Sequence, residues 1–326
     1  MAQKKAGKQK VKEVIEFYDS NGLQKTLETF GISDETFHRY ERLFDEYFGS
    51  DKRLKSESLK KIAEQYTDKE LLAIASGGRV APGQPKIPIV SFDGERIRVG
   101  ALGDTHLGSL YTNPECIYQA FEEFVKEKVD FITHSGDVFE GMSNRAGHIY
   151  ELTHLGYTKQ KKHGIEVFSQ SPTPIYFIDG NHDRWFVKSA GAYIVEDLCN
   201  ELNQAGKEAI YLGQDEGDIS LKGKTTLKLW HGEDGNSYAL SYRVQKIVES
   251  LAGGEKPGVL FAGHTHKSFN IFERNIQCYS TGCLQRQTKF MRGKRIAAHV
   301  GFWIIDIWVG QKGVTKITST WYPFYA

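Results

Sequence analysis

Five times in this chain an apolar run of strand length ends in a glycine beside an aspartate, an asparagine or a histidine. IRVGAL (residues 97–102) leads into Gly103-Asp104-Thr105-His106, and FITHS into Gly136-Asp137. PIYFID leads into Gly180-Asn181-His182-Asp183, TLKLW into His231-Gly232, and VLFA into Gly263-His264-Thr265-His266. Runs this rich in apolar residues suit buried strands, and the loops leaving such strands build sites in α/β folds. Glycine lets the loop turn sharply and lets backbone approach an ion or anion. One such stretch is an ordinary polar strand end. Five in succession point to a single site assembled from five loops.

The donors offered are carboxylate and amide oxygens and imidazole nitrogens, with no thiolate. That set suits Mn²⁺, Fe or Zn²⁺ and is too rich in nitrogen for Ca²⁺. Two carboxylates facing two divalent cations leave a charge of about +2, which an anionic phosphate ester and a hydroxide would balance. Two cations roughly 3.5–4 Å apart lower the pKa of a shared water and clamp both ends of an in-line displacement.

In their order, GDTH, GD, GNHD, HG and GHTH resemble the motifs of the calcineurin-like metallophosphoesterase superfamily, over residues 96–285. The resemblance implies a fold of two packed sheets flanked by helices. It implies one cation, most simply Mn²⁺, on Asp104, His106, Asp137 and His266. The second would sit on Asp137, Asn181, His231 and His264, with Asp137 shared. It further implies attack by a metal-bridging hydroxide, without a covalent intermediate, with His182 as the general acid and Asp183 orienting it. No motif residue is missing, so the pattern implies an active enzyme.

The rest of the chain frames this core. With 326 residues, two domains are expected. A net charge of +1 with 25% charged and 40% apolar residues is an ordinary soluble composition, so any anionic partner must be met by local clusters. No run of 18 apolar residues predicts a membrane span. The lysine-rich start has no apolar segment behind it, and the four cysteines lack CxxC spacing. Together these predict a cytoplasmic protein. Residues 1–12 read as a solvated basic tail, with a phosphate contact as the alternative, and residues 13–76 as a small all-α domain. The Gly- and Pro-rich residues 77–95 read as a linker, and residues 96–326 as the α/β catalytic domain, with long helices expected over 145–168 and 189–202.

Within the helical domain, LQKTLETFGISDETFHRYERLF resembles a helix-turn-helix. Gly31 stands in the turn, Ser33 caps the second helix, and Phe37 and Tyr40 face inward. Leu27 departs from the motif, which favours a small residue there. The resemblance implies that Thr36, His38, Arg39 and Arg42 face DNA; a plain helical bundle uses the same spacing for its core. Thr67, with Glu70 three later, predicts a capping box in a further helix.

Two other features bear on substrate. His148 lies in the segment after Asp137, from which this superfamily often reaches its substrate. LQRQTKFMRGKR (residues 284–295) sets Arg286, Lys289 and Arg292 around Phe290, the charge-and-ring pattern that suits a nucleic acid strand; a solvated loop is the alternative. GDVFEG is similar to the GDLF-type segment of DNA-repair nucleases in the superfamily. These features favour a nuclease acting on DNA. A phosphatase on phosphoprotein or a small phosphomonoester is the second reading. A DNA-binding regulator with a vestigial phosphoesterase domain is the third.

Overall fold

In a computed structural model of the chain, residues 7–48, 87–232, 239–252 and 256–324 are described. The chain divides into two compact units, Met1–Gln84 and Pro85–Ala326. The helices expected within residues 56–76, the Thr67–Glu70 box and most of the expected linker lie outside the described residues. No helix among the described residues is long and apolar enough to cross a membrane.

In the smaller unit, α1 spans Lys8–Asn21, α2 Leu23–Phe30 and α3 Asp34–Phe48. Helix α1 begins inside the expected tail. Val11, Val14 and Ile15 recur at helical spacing and are fully buried, so the apolar stripe carries the helix back to Lys8. They pack with Phe37, Tyr40 and Leu43 of α3, and Leu27 and Phe30 of α2 lie against them. The Ser33 hydroxyl accepts the Thr36 amide at 3.3 Å, as expected of a cap.

The larger unit holds two six-stranded sheets. The first has the order β12–β11–β2–β3–β4–β5. Its strands are β2 (Arg96–Leu102), β3 (Phe131–His134), β4 (Ile175–Asp179), β5 (Ala209–Gln214), β11 (Gly301–Gly310) and β12 (Gly313–Pro323). β2 to β5 run parallel; β11 lies antiparallel to both β2 and β12, forming the hairpin expected about residues 310–313. The second has the order β1–β6–β7–β8–β10–β9. Its strands are β1 (Ile89–Val90), β6 (Glu216–Leu221), β7 (Thr225–Trp230), β8 (Val259–Ala262), β9 (Ser268–Glu273) and β10 (Ile276–Thr281). β7, β8 and β10 are parallel neighbours. Strand β1 pairs with β6, so the catalytic unit starts before residue 96 and takes in the end of the expected linker.

Alternate residues of the strands meet between the sheets. Ile97, Val99, Phe131 and Ile178 from one side face Ile219, Leu227, Leu229 and Phe261 from the other. The opposite face of the first sheet is covered by α4 (Pro114–Lys126), α5 (Tyr157–Phe168) and α7 (Ile194–Gln204). Helix α8 (Tyr242–Ser250) covers the second through Val244, Ile247 and Val248. Burial on both faces is why these strands read as largely apolar runs.

Two helices come out shorter than expected. Residues 145–168 hold a single 3₁₀ turn, His148–Glu151, and then α5, because Gly156 breaks the run. Residues 189–202 are split by Gly191 between α6 (Trp185–Ala190) and α7.

Helix α4 sits so close on β2 that a Cβ at Gly100 would lie 2.8 Å from the Phe124 ring. Phe124 is fully buried and meets Phe302 edge-on at 5.1 Å. Phe124→Ala should destabilise this unit by about 3–5 kcal/mol. All five tryptophans lie beyond residue 184, so denaturant titration followed by tryptophan fluorescence reads this unit alone. A loss below about 1 kcal/mol would contradict the packing described.

Candidate metal centre

The five loops singled out above leave the C-terminal ends of β2, β3 and β4 in one sheet and β7 and β8 in the other. Parallel neighbours bring such ends to one edge, and the two packed sheets bring both edges together. Asp104, His106 and His266 form one group and Asp137, His231 and His264 a second, with donor atoms in each within 4.8 Å of one another.

In the first group, Nε2 of His106 lies 3.1 Å from Nε2 of His266, which is 3.3 Å from an Asp104 oxygen. Two imidazole nitrogens aimed at each other share one hydrogen at most, so lone pairs converge on this point. In the second, Nε2 of His231 is 3.1 Å from Oδ2 of Asp137. The Asn181 side-chain oxygen lies 2.8 Å from Nδ1 of His264 and 3.2 Å from Nε2 of His231. Oδ1 of Asp137 accepts the His182 amide at 2.8 Å. That bond turns Oδ2 toward both groups, 3.6 Å from Nε2 of His106. Carboxylates, an amide oxygen and imidazoles facing one another form a donor set that fits two divalent cations.

The electrostatics match. Burial opposes ionisation of Asp104 and Asp137, but the histidines around them outweigh it and hold both below their ordinary range. Burial likewise opposes the charged form of His231, yet Asp137 and Asp104 raise its pKa to about 9. His264 is pushed down to about 4, first by burial and then by His231.

The backbone carries strain at these ligands. Asp104, His106, Asp137, His264 and His266 have φ of 50°, 47°, 51°, 73° and 55°, a left-handed region that non-glycine residues seldom adopt. Two of the glycines serve close approach instead. A Cβ at Gly180 would fall 2.1 Å from an Asp137 oxygen, and one at Gly263 would fall 2.4 Å from the Ser135 carbonyl.

Glu140 belongs to this site and was missed in the sequence. It is buried, with Oε2 3.0 Å from Nδ1 of His106. It also accepts from Nε2 of His148 at 2.9 Å and from Nε2 of Gln285 at 2.8 Å. Its signal was a carboxylate three residues after Asp137 in an apolar stretch. Burial opposes its charge, and the adjacent His106 and His148 outweigh that and keep its pKa below the usual range.

Two of the expected residues contact other partners than expected. Asp183 does not orient the His182 ring. It accepts the amides of Val138, Phe139 and Gly180 at 3.1, 2.8 and 2.8 Å and so ties two ligand loops together. Nδ1 of His182 donates instead to the Glu140 carbonyl at 2.8 Å. His148 is turned inward, away from the surface. It is buried, with Nδ1 accepting the Ser143 amide and Nε2 turned to Glu140.

Arg286 is exposed, and Lys289 and Arg292 stand on the short exposed helix α9 (Lys289–Gly293). Gln285 joins this segment to Glu140 and to Ser109. In the smaller unit, His38, Arg39 and Arg42 are exposed on α3. Thr36 is half-buried and its hydroxyl meets that of Ser33 at 3.0 Å, so the cap occupies it. His38 lies 2.7 Å from Glu41 and 3.7 Å from Asp34, which makes that face mixed in charge.

Partners that hold a ligand's far nitrogen typically cost about 10–100-fold in metal affinity when removed. Glu140→Gln should weaken Mn²⁺ binding by that factor in isothermal titration calorimetry, with the fold retained by circular dichroism. Unchanged affinity would remove Glu140 from the centre.

The chain is similar to several known proteins. The DNA polymerase II small subunit of Methanothermobacter thermautotrophicus is 23% identical, over 72% of this chain and 56% of its own length. The chain thus spans little more than half of that relative. A solved archaeal phosphodiesterase is similar at 16% identity, over 69% of this chain and all of that one, with a TM-score of 0.41. The phosphoesterase Yfce of E. coli is similar at 15% identity, over 68% of this chain and 98% of that one, with a TM-score of 0.37. The sequence pattern of the calcineurin-like phosphoesterases matches residues 97–268, which is more than half of the chain and spans all five ligand loops. The chain is a member of the calcineurin-like phosphoesterase family.

Proposed function

We propose that the chain is a phosphodiesterase that hydrolyses nucleic acid with two divalent cations, Mn²⁺ first among them and Fe or Zn²⁺ as substitutes. The observation that carries this reading is Asp137. Its Oδ2 is within 3.6 Å of His106 and 3.1 Å of His231, so one carboxylate serves both ligand groups. Asp104, His106, Asp137 and His266 would hold one cation, and Asp137, Asn181, His231 and His264 the other. Bound there, the cations would supply an activated water and charge to balance the phosphorane-like transition state.

The protein's own groups would do the rest. His182 gives its Nδ1 hydrogen to the Glu140 carbonyl, which leaves Nε2 as the nitrogen to exchange a proton with a leaving oxygen. The His182 ring stands edge-on to His106, with centroids 4.5 Å apart, and so borders the first ligand group. Asp183 keeps the loops of Asp137 and Asn181 in register through its three amide bonds.

Nucleic acid as the substrate is supported by the basic segment that Gln285 ties to Glu140. It is supported further by the name of the curated relative, a DNA polymerase subunit. Arg39 and Arg42, exposed on α3, would add contacts to phosphates, as the helix-turn-helix resemblance implies.

Asp137→Asn should abolish metal uptake and hydrolysis together. His182→Ala should keep its metal while turnover of bis-p-nitrophenyl phosphate falls by about 10²–10⁴. Full activity of His182→Ala on an ester with a poor leaving group would remove the proton-donor role. With Mn²⁺ present, cleavage of the monoester alone, and of no diester or DNA, would sink the nuclease reading and favour a phosphatase. Replacing Arg39 and Arg42 together by alanine should weaken DNA binding and lower its salt slope by about 2. An unchanged slope would take the helical unit out of DNA contact.

A further inference from the structure

Large apolar side chains gather at the surface beside Glu140. Tyr150 is 83% exposed, Leu110 56%, Ile149 50% and Phe290 49%. A ring left this open gains little from folding. Three chain segments bring these residues into one neighbourhood. The Leu110 amide donates to the Glu151 carbonyl at 2.8 Å, and the Arg286 amide donates to the Tyr111 carbonyl at 2.9 Å. Arg145 pairs with Glu151 at 2.6 Å and sets its guanidinium 5.6 Å from the centre of the Phe290 ring.

The 3₁₀ turn explains the outward aim. His148 points inward and is anchored on Glu140, 2.9 Å away, so the next two residues, Ile149 and Tyr150, face solvent. The same Glu140 touches His106 at 3.0 Å. The patch is therefore one buried carboxylate removed from the metal ligands. Its polar members are basic: Arg286, Lys289 and Arg292 are exposed, and the acidic Glu151 is already paired.

We propose that this surface is a stacking platform for single-stranded nucleic acid, with Tyr150 and Phe290 as the rings on which unpaired bases lie. The inference rests on the nuclease reading for its purpose and deepens it by naming the substrate class. Rings between cations match a strand whose bases present open faces and whose backbone is anionic. A duplex stacks its base faces inside and offers the same rings little to cover. A protein partner would meet the apolar groups but gain less from the surrounding positive charge.

The test uses the full chain with Mn²⁺ in a His182→Ala background, so that binding is read with turnover slowed. Fluorescence anisotropy compares a single-stranded oligonucleotide with its duplex. The single strand should bind more tightly. Adding Tyr150→Ala and Phe290→Ala together should weaken single-strand binding by at least about tenfold and duplex binding by less than about threefold. Tyr150→Trp should keep single-strand affinity, because a ring is retained. Equal losses on both forms, or no loss, overturn the proposal. Conversion of a dimer to a monomer in sedimentation, with strand affinity unchanged, also overturns it and marks a self-association surface. Cleavage by the unsubstituted chain separates the two readings. Ring-dependent strand binding without cleavage of any nucleic acid would sink the nuclease reading and leave the platform standing.

Discussion

The structure depends on a few hydrogen bonds that cross from one sheet to the other at the edge that carries the candidate metal ligands. The His264 amide, on the loop after β8, donates to the carboxylate of Asp104, on the loop after β2, at 3.0 Å. Nδ1 of His231, after β7, donates to the Ser135 carbonyl at the end of β3 at 2.7 Å. The Ser135 and Thr281 hydroxyls meet at 2.7 Å between the same layers. The apolar interface below is non-directional and would tolerate some sliding. These polar contacts would not, since they are buried or largely buried and costly to leave unmade. They hold the two halves of each ligand group in register.

That arrangement also orients the ligands. His231 gives Nδ1 to Ser135, which turns Nε2 toward Asp137. Oδ1 of Asp137 accepts the His182 amide, which turns Oδ2 to both groups. Buried groups whose second atom is already committed have little freedom to reorganise. A site built this way would bind cations with a geometry settled before they arrive.

The catalytic core was legible in the sequence because its signals are local. Each apolar run, glycine and ligand sits within about ten residues of chain. The placement of Asp104, His106, Asp137, Asn181, His231, His264 and His266 at one edge follows from strand direction alone. What the sequence hid was set by long-range packing. Glu140 looked like one acid among many; only the fold brings His106, His148 and Gln285 onto it. The motif next to His182 suggested Asp183 as its support, yet three nearby amides claim that carboxylate. Helix boundaries at Gly156 and Gly191 were missed because a single glycine is tolerated within a helical pattern, and only the fold shows that both take positive φ. The start of α1 was missed because Val11 was read with the lysines around it rather than with Val14 and Ile15.

The left-handed backbone at Asp104, His106, Asp137, His264 and His266 has a consequence for anyone who edits this centre. A ligand knockout here is also a backbone mutation. Alanine in place of any of the five deletes the donor and keeps a Cβ in a conformation it disfavours, so lost metal and lost stability arrive together. Asparagine tolerates this conformation and retains a polar tip; glycine relaxes it altogether. Comparing asparagine, glycine and alanine at one such position separates what the side chain contributes from what the turn demands.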